Sequence, residues 1–537
     1  MPDTMHAQPE VPARLAGASL SARAMTVVLG VLLGGAALLT LSTGLYQLSR
    51  PYDGLHAWIP AHLGIMARNF AQRGVIATHG VPLQNNELPG VEPDVYIHWP
   101  PLLPILLGEL FRLTGVNEAA VRIFMLLVLV GAAFALGALG AECCGRNAGV
   151  FAAFAWLTMP VVVLFSKESM HLNLAIPLMV VAVLAHIKAL KHKPVDWRWG
   201  GLSVLCWSLA ALSSWEPVLA APALLLLAVI RRNRDERRMA LLSTLAVGAS
   251  ILAVLTVFLA SYPAHAQQLW ETVRYRLGLS YALPTRVPFH ALADQRWYQS
   301  LPQPDWSTKL LTFGSRLHRL IGPIILLAFA VAAIWLWIER KAHGTASCLI
   351  AAVGLISPAA LWYCVMTNHV YQHNVEMLLW TPAFALAAAF AYTAIEQLFA
   401  KWPHYRVLAV VLIAGCGSVM LMPLIGNAES RFFYPPQISW IVAYAHDIDR
   451  STEPDAVVLT PEASMMTVYY SHRHIVRFVD NDKTLADVRS SMRGVFTGYP
   501  LYLAIPKEEI QRFPDALKTC PTVAQQPSLV LLKLPPE

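Results

Sequence analysis

Asp53 stands just after the first long apolar run, in Arg50-Pro51-Tyr52-Asp53-Gly54. A carboxylate at a membrane boundary is costly to bury and tends to be functional. With an ordinary pKa of about 3.9 it is ionised at neutral pH and can take a proton from a hydroxyl or amine. The alternative is an Asp-Gly turn that merely ends a helix. Glu92 and Asp94 form a second acidic pair. They would orient a substrate, hold a divalent cation (Mg or Mn) with Asp53, or lie in a solvated loop. Asp94 is the nearer of the two to Pro100-Pro101. Arg68, His98, Arg122, Arg274 and Arg276 are the cations and imidazole available to hold a phosphate. Snorkelling to headgroups is the competing use for Arg68 and Arg122, and a solvated face for Arg274 and Arg276. His369 and His373 are spaced to share a helix face, which permits metal binding. No third ligand is identifiable, so no metal site is assigned and the pair is read as lining a cavity. His472 and His474 alternate on one face of an expected strand and read as ordinary surface.

These residues need a frame to hold them. The 537-residue chain is 56% hydrophobic and only 14% charged, against about 25% charged in a soluble domain. The apolar excess must face lipid. Taking roughly 20 apolar residues per span, about eleven segments qualify. They are Ala24–Tyr46, Ala119–Leu139, Ala148–Phe165, His171–Ala189, Gly201–Ser213, Glu216–Ile230, Met239–Ser261, Leu317–Ile338, Thr345–Met366, Val375–Glu396 and Val407–Ile425.

With residues 1–23 in the cytoplasm, alternation puts the basic run Arg231 to Arg238, the lysines between Lys188 and Lys193, and Arg340-Lys341 inside. That asymmetry obeys the positive-inside rule. It also accounts for the net charge of +7 without a nucleic-acid partner. The seven cysteines form no CxxC and suggest no disulfide framework.

The spans extend over 24–426. Two large loops, 47–118 and 262–316, and a tail, 427–537, then lie outside. In the first loop, Trp58–Gly74 is amphipathic and Leu102–Leu113 is too short to span. Both read as helices lying in the membrane interface. The tail alternates β-rich runs (Ala456–Leu459, Ile475–Val479, Leu501–Ala504, Leu529–Leu532) with amphipathic ones (Ile438–Ile448, Ala463–Tyr470, Leu485–Met492, Lys507–Phe513). That pattern predicts a small α/β domain.

An Asp after the first span, two interfacial helices, Tyr96 with His98-Trp99-Pro100-Pro101-Leu102, and Arg122 opening the second span stand together in this order. The set resembles the GT-C glycosyltransferases, in particular the protein-mannosyltransferase and aminoarabinose-transferase-like group. The resemblance covers nearly the whole chain, including Ala67-Arg68-Asn69 and the Tyr371/Pro382 segment. It implies an α-helical polytopic membrane protein with an extracytoplasmic α/β tail. It implies a hexosyl- or pentosyltransferase that uses a polyprenyl-phosphate sugar, with inversion, and Asp53 as base. Glu168 matches an acidic residue that the family often has near that turn. Relatives often carry a basic residue just before Pro-Pro, where this chain has Trp99, and a Lys where it has Glu216.

The absence of a phosphate-cradling glycine loop or dinucleotide fingerprint agrees with a lipid-linked donor. The acceptor, whether glycolipid, polysaccharide or protein, is not legible. A transporter or flippase would concentrate its polar groups near mid-membrane, whereas here they cluster at the outer helix ends. A non-enzymatic assembly protein leaves the acidic and Pro-Pro elements without a use. The short inner loops point to a bacterial inner membrane with the site in the periplasm.

Overall fold

The computed structural model describes residues 18–46, 48–52, 57–91, 93–279, 305–338, 346–400, 406–431, 439–477, 492, 495–513 and 520–534. Asp53, Glu92 and most of the expected helix Leu485–Met492 lie outside the described residues.

The helices in chain order are α1 (Ala18–Leu45), α2 (Trp58–Arg73), α3 (Leu102–Thr114), α4 (Glu118–Cys144), α5 (Arg146–Thr158), α6 (Pro160–Phe165), α7 (His171–Lys191), α8 (Trp197–Ser213), α9 (Pro217–Ile230) and α10 (Arg234–Ser261). There follow α11 (Ala266–Arg276), α12 (Trp306–Arg316), α13 (Pro323–Ile338), α14 (Ala346–Val365), α15 (Thr367–Gln372), α16 (Thr381–Ala400) and α17 (Arg406–Arg431). The tail contributes α18 (Ser439–Ser451) and α19 (Met465–Ser471).

Every segment expected to span is helical. Among the described residues six helices are individually long and apolar enough to cross a membrane, and a seventh span arises if one bent pair counts as one. The protein is an integral, multi-pass membrane protein. Leu127, Phe134, Leu252 and Ile334 are exposed on these helices, as lipid-facing side chains should be.

Local chemistry sets the breaks. Pro160 starts α6 and divides the expected span Ala148–Phe165. Gly322, at φ 102°, and Pro323 turn the chain by 104° between the stretch Trp306–Ile321 and α13. The expected span starting at Val375 opens instead as a 3-10 segment, Asn374–Trp380. Asn117 caps α4 by accepting from the backbone N–H groups of Ala119 and Ala120.

The tail sheet has the order β2-β1-β3-β5-β4. Its strands are β1 (Val457–Thr460), β2 (His474–Arg477), β3 (Leu501–Pro506), β4 (Thr522–Gln525) and β5 (Leu529–Lys533). β1 pairs in parallel with β2 and β3, while β5 runs antiparallel to β3 and β4. β1 and β3 are buried along their whole length because both faces are covered. One face packs on α18, α19 and α2, and the other on Leu88, Met492, Phe496 and Phe513.

Two tail expectations change. β4 is an additional, mostly exposed strand. His472 sits at the end of α19 with φ 51°, off the strand, and only His474 joins β2.

Candidate active site

α2 does not simply float apolar side down. It is buried from Ile59 to Phe70, between α3 below and the tail above. Gly108 lets α3 approach, since a Cβ there would meet the Phe70 Cβ at 2.8 Å. Gly64 does the same for the tail, where a Cβ would stand 2.6 Å from the Tyr469 ring. Arg68 is 3% exposed. It donates to the Tyr469 carbonyl (2.8 Å) and to Asn86 Oδ1 (2.5 Å), and its guanidinium lies over the Tyr469 ring. Asn86 donates to the carbonyls of Arg473 and Val468, and Asn85 exchanges hydrogen bonds with the backbone of Ile475. The structure thus places Arg68 in the seam between roof and tail.

Arg122, near the start of α4, donates to the carbonyls of Leu48 (2.5 Å) and Arg50 and lies over the Tyr52 ring. From above, Tyr470 Oη accepts the Tyr52 N–H (2.5 Å). The segment leading to Asp53 is therefore gripped from below by a spanning helix and from above by the tail.

Asp94 is buried in the first loop. Its Oδ1 accepts from Gln84 Nε2 (2.7 Å), and Gln84 Oε1 accepts from His62 Nε2 (3.1 Å). The His62 ring meets the edge of Tyr96 (4.5 Å), and Tyr96 meets His98 (5.1 Å). Burial pulls the His62 pKa down to about 4. Burial first, and then the Arg276 charge, pulls His98 down to about 3. Both imidazoles are therefore neutral at physiological pH and can offer a ligand hydrogen bonds but no charge.

Trp99 is the hub of a side-chain cluster packed against this roof. His171 stacks on it at 4.5 Å, His369 lies 5.7 Å away, and the Arg276 guanidinium sits 5.2 Å from its ring centre. The Trp215 indole N–H fixes the loop by donating to the His98 carbonyl (2.7 Å). Arg276 ends α11, which is pinned to α15. The Tyr275 carbonyl accepts from Asn368, and its hydroxyl accepts from Gln372. Arg316 anchors α15 through the carbonyls of Val370, Tyr371 and His373. Glu376 accepts from Trp362 Nε1 (3.1 Å) and His369 Nε2 (3.0 Å). His369 and His373 do share a face, with ring centres 4.6 Å apart.

The structure brings His98, Arg276, His369 and His373 into one side-chain cluster around Trp99 and Tyr96. Arg274, two residues before Arg276, is exposed. Glu168 is buried in the α6–α7 turn, where its carbonyl accepts from Asn173. Tyr371 is located here by its carbonyl contact with Arg316. Sequence reasoning did not select Glu376, His171 or Arg316. Glu376 carries a legible signal, an acid one helical stretch beyond His369 at the mouth of a span.

Among the described residues no group of three or more His, Cys, Asp or Glu could hold a metal ion.

The architecture is the GT-C glycosyltransferase fold. Residues 98–260 match the family model for dolichyl-phosphate-mannose-protein mannosyltransferase. The chain is similar to ArnT from Cupriavidus metallidurans, whose crystal structure holds undecaprenyl phosphate. Identity is 12%, with 94% of this chain and 97% of that one covered and a TM-score of 0.63. It is also similar to the Archaeoglobus fulgidus oligosaccharyltransferase AglB in complex with an inhibitory peptide and a dolichol-phosphate. There identity is 12%, coverage 90% and 70%, and the TM-score 0.55. A further structure of the Archaeoglobus fulgidus oligosaccharyltransferase, with Zn and sulfate, is similar at 15% identity, 89% and 68% coverage and a TM-score of 0.54. Comparison with curated proteins finds no significant sequence match.

Proposed function

We propose that the protein is a glycosyltransferase that moves a sugar from a polyprenyl-phosphate donor to an extracytoplasmic acceptor, a glycolipid, polysaccharide or protein. The observation that carries this reading is Arg276, a cation held against Trp99 in a cluster with His98, His171 and His369. The fold and the family-model match support it. So do the ligands of the similar structures, undecaprenyl phosphate in one and dolichol-phosphate with a peptide in the other.

In this reading Asp53 is the base. The acceptor oxygen or nitrogen attacks the sugar C1, its proton passes to the Asp53 carboxylate, and the C1–O bond to phosphate breaks. The bonding electrons leave on the polyprenyl phosphate, where Arg276 balances the new charge and His98 offers a hydrogen bond. Attack opposite the leaving group inverts C1. Asp94 acts through the Gln84–His62 chain to orient the acceptor side of the site. The short basic loops support a cytoplasmic N-terminus, a bacterial inner membrane, and a periplasmic site and tail. A divalent cation would need ligands from Asp53 and Glu92.

The test compares a strain lacking the gene with strains carrying the native form or Asp53→Asn. Polyprenyl-phosphate-sugar pools and envelope glycans are read by mass spectrometry. The expected result is one lipid-linked sugar accumulating in the null and Asp53→Asn strains and missing from one glycan. A native profile with Asp53→Asn overturns the assignment of the base, and unchanged glycans in every strain overturn the transferase reading.

A further inference from the structure

The backbone groups of segment 48–52 are held by two distant parts of the molecule. Arg122 Nη1 donates to the carbonyls of Leu48 and Arg50, and Nη2 reaches the Pro51 carbonyl at 3.5 Å. A guanidinium only donates, so it can hold carbonyls but never an N–H. Pro51 has no N–H of its own. The Tyr52 N–H needs an acceptor from elsewhere, and the Tyr470 hydroxyl oxygen supplies it at 2.5 Å. Tyr52 is 2% exposed and Tyr470 5%, so bulk water is not at hand to replace that acceptor.

Packing in the tail aims this hydroxyl. Ser464 caps α19 by accepting from the Thr467 N–H, and His472 ends the helix in the left-handed region. Between them the Tyr469 ring stands edge-on to Tyr470 at 4.8 Å and tilts against the Tyr52 ring at 5.5 Å. The His446 ring of α18 meets Tyr470 at 5.5 Å. The acceptor is thus fixed by α18 and α19, 418 residues along the chain from the N–H it holds.

We infer that Tyr470 is a positioning residue for the transfer reaction. By accepting the Tyr52 N–H it fixes, from the tail side, the backbone that leads into the proposed base. Arg122 fixes the same backbone from α4. This inference rests on the transferase reading above, in which residue 53 is the base. Loss of the acceptor leaves a buried N–H unpaired, and the segment must shift to find another partner. The cation assigned to the donor phosphate, Arg276, belongs to the Trp99 cluster. The loss therefore falls on turnover and not on donor binding, and the tail is part of the catalytic unit.

The test uses the full chain in lipid nanodiscs. The donor is the lipid-linked sugar extracted from the strain lacking the gene, and membranes of that strain supply the acceptor. Undecaprenyl phosphate is the probe for binding. Tyr470→Phe keeps the ring and removes only the oxygen. It is expected to lower kcat by about a hundredfold, as a misplacement of about 1 Å would. Undecaprenyl phosphate affinity should stay within about threefold of native. Hydrogen exchange in α19 and β2 should also stay native, which separates positioning from lost docking. In the Arg122→Ala background Tyr470→Phe should cost less than about threefold more, because both contacts hold one segment. Tyr502→Phe removes a tail hydroxyl that donates to Glu453 instead, and should turn over like the native chain. Native turnover by Tyr470→Phe overturns the inference. So does an equal loss of turnover and affinity, a loss accompanied by raised exchange in α19, a full hundredfold loss on top of Arg122→Ala, or the same loss in Tyr502→Phe. If the strain lacking the gene accumulates no lipid-linked sugar, or the native protein leaves it untouched, the transferase reading itself fails, and the inference with it.

Discussion

The Arg122 guanidinium lies 5.2 Å from the centre of the Tyr52 ring while it donates to carbonyls in the segment 48–50. Tyr52 immediately precedes the proposed base, so α4 sets where that base can be. Removing the guanidinium frees the segment without touching the cluster of Arg276 and Trp99. A misplacement of about 1 Å at a reacting group is worth about a hundredfold in rate. Arg122→Ala should lower kcat by about that factor, with undecaprenyl phosphate affinity nearly unchanged. Comparing turnover with equilibrium binding checks this, and equal losses in both would show that Arg122 serves the donor instead.

Arg276 and Arg274 separate two uses of a cation on one helix. Arg276 contacts Trp99, whereas Arg274 is exposed. A hydrogen bond to a charged group contributes about 1.5–3 kcal/mol. Arg276→Ala should therefore weaken undecaprenyl phosphate binding by about 10- to 150-fold. Arg274→Ala should change it less than about threefold, as for a surface substitution. Titration of both variants under the same conditions decides the matter.

Docking of the tail on α2 depends on the absence of a side chain at Gly64. Gly64→Val should push Tyr469 away and break the Arg68 contacts. Hydrogen exchange would then rise in α19 and β2 but not in α4 or α7. Unchanged protection in α19 would mean that the seam can absorb the added volume.

Acid should destabilise the roof in a defined window. His62 and His98 have folded-state values of about 4 and about 3, below the ordinary 6.5. Between those values the unfolded chain binds more protons than the folded one, so stability rises with pH there and is lost on acidification. Thermal unfolding should fall steadily from pH 6.5 towards pH 4. The fall should be shallower in His62→Asn, which cannot titrate; an identical slope would exclude His62 as a source.

Much of the architecture is legible in the sequence because lipid demands long apolar helices. Breaks inside spans are harder to read. Met159-Pro160 and Gly322-Pro323 sit in runs whose average apolarity hides a local bend. β4 is mostly exposed and carries no burial pattern. At the site, residue type and position at outer helix ends were enough to select His98, Arg276 and His369. They were not enough to assign partners. Whether Arg68 faces a headgroup, a phosphate or a carbonyl depends on Tyr469, which no local spacing brings near it.

The hydrogen bonds of the roof also impose an order on assembly. Arg68 and Asn85 find their partners 401 and 390 residues later in the chain. During synthesis these buried-to-be polar groups remain hydrated until α19 and β2 have been made. Closing loops of that length is slow compared with pairing neighbouring helices. A nascent chain can therefore insert its helical bundle while its catalytic chamber is still open. Closure of that chamber therefore waits on synthesis of the tail as far as β2.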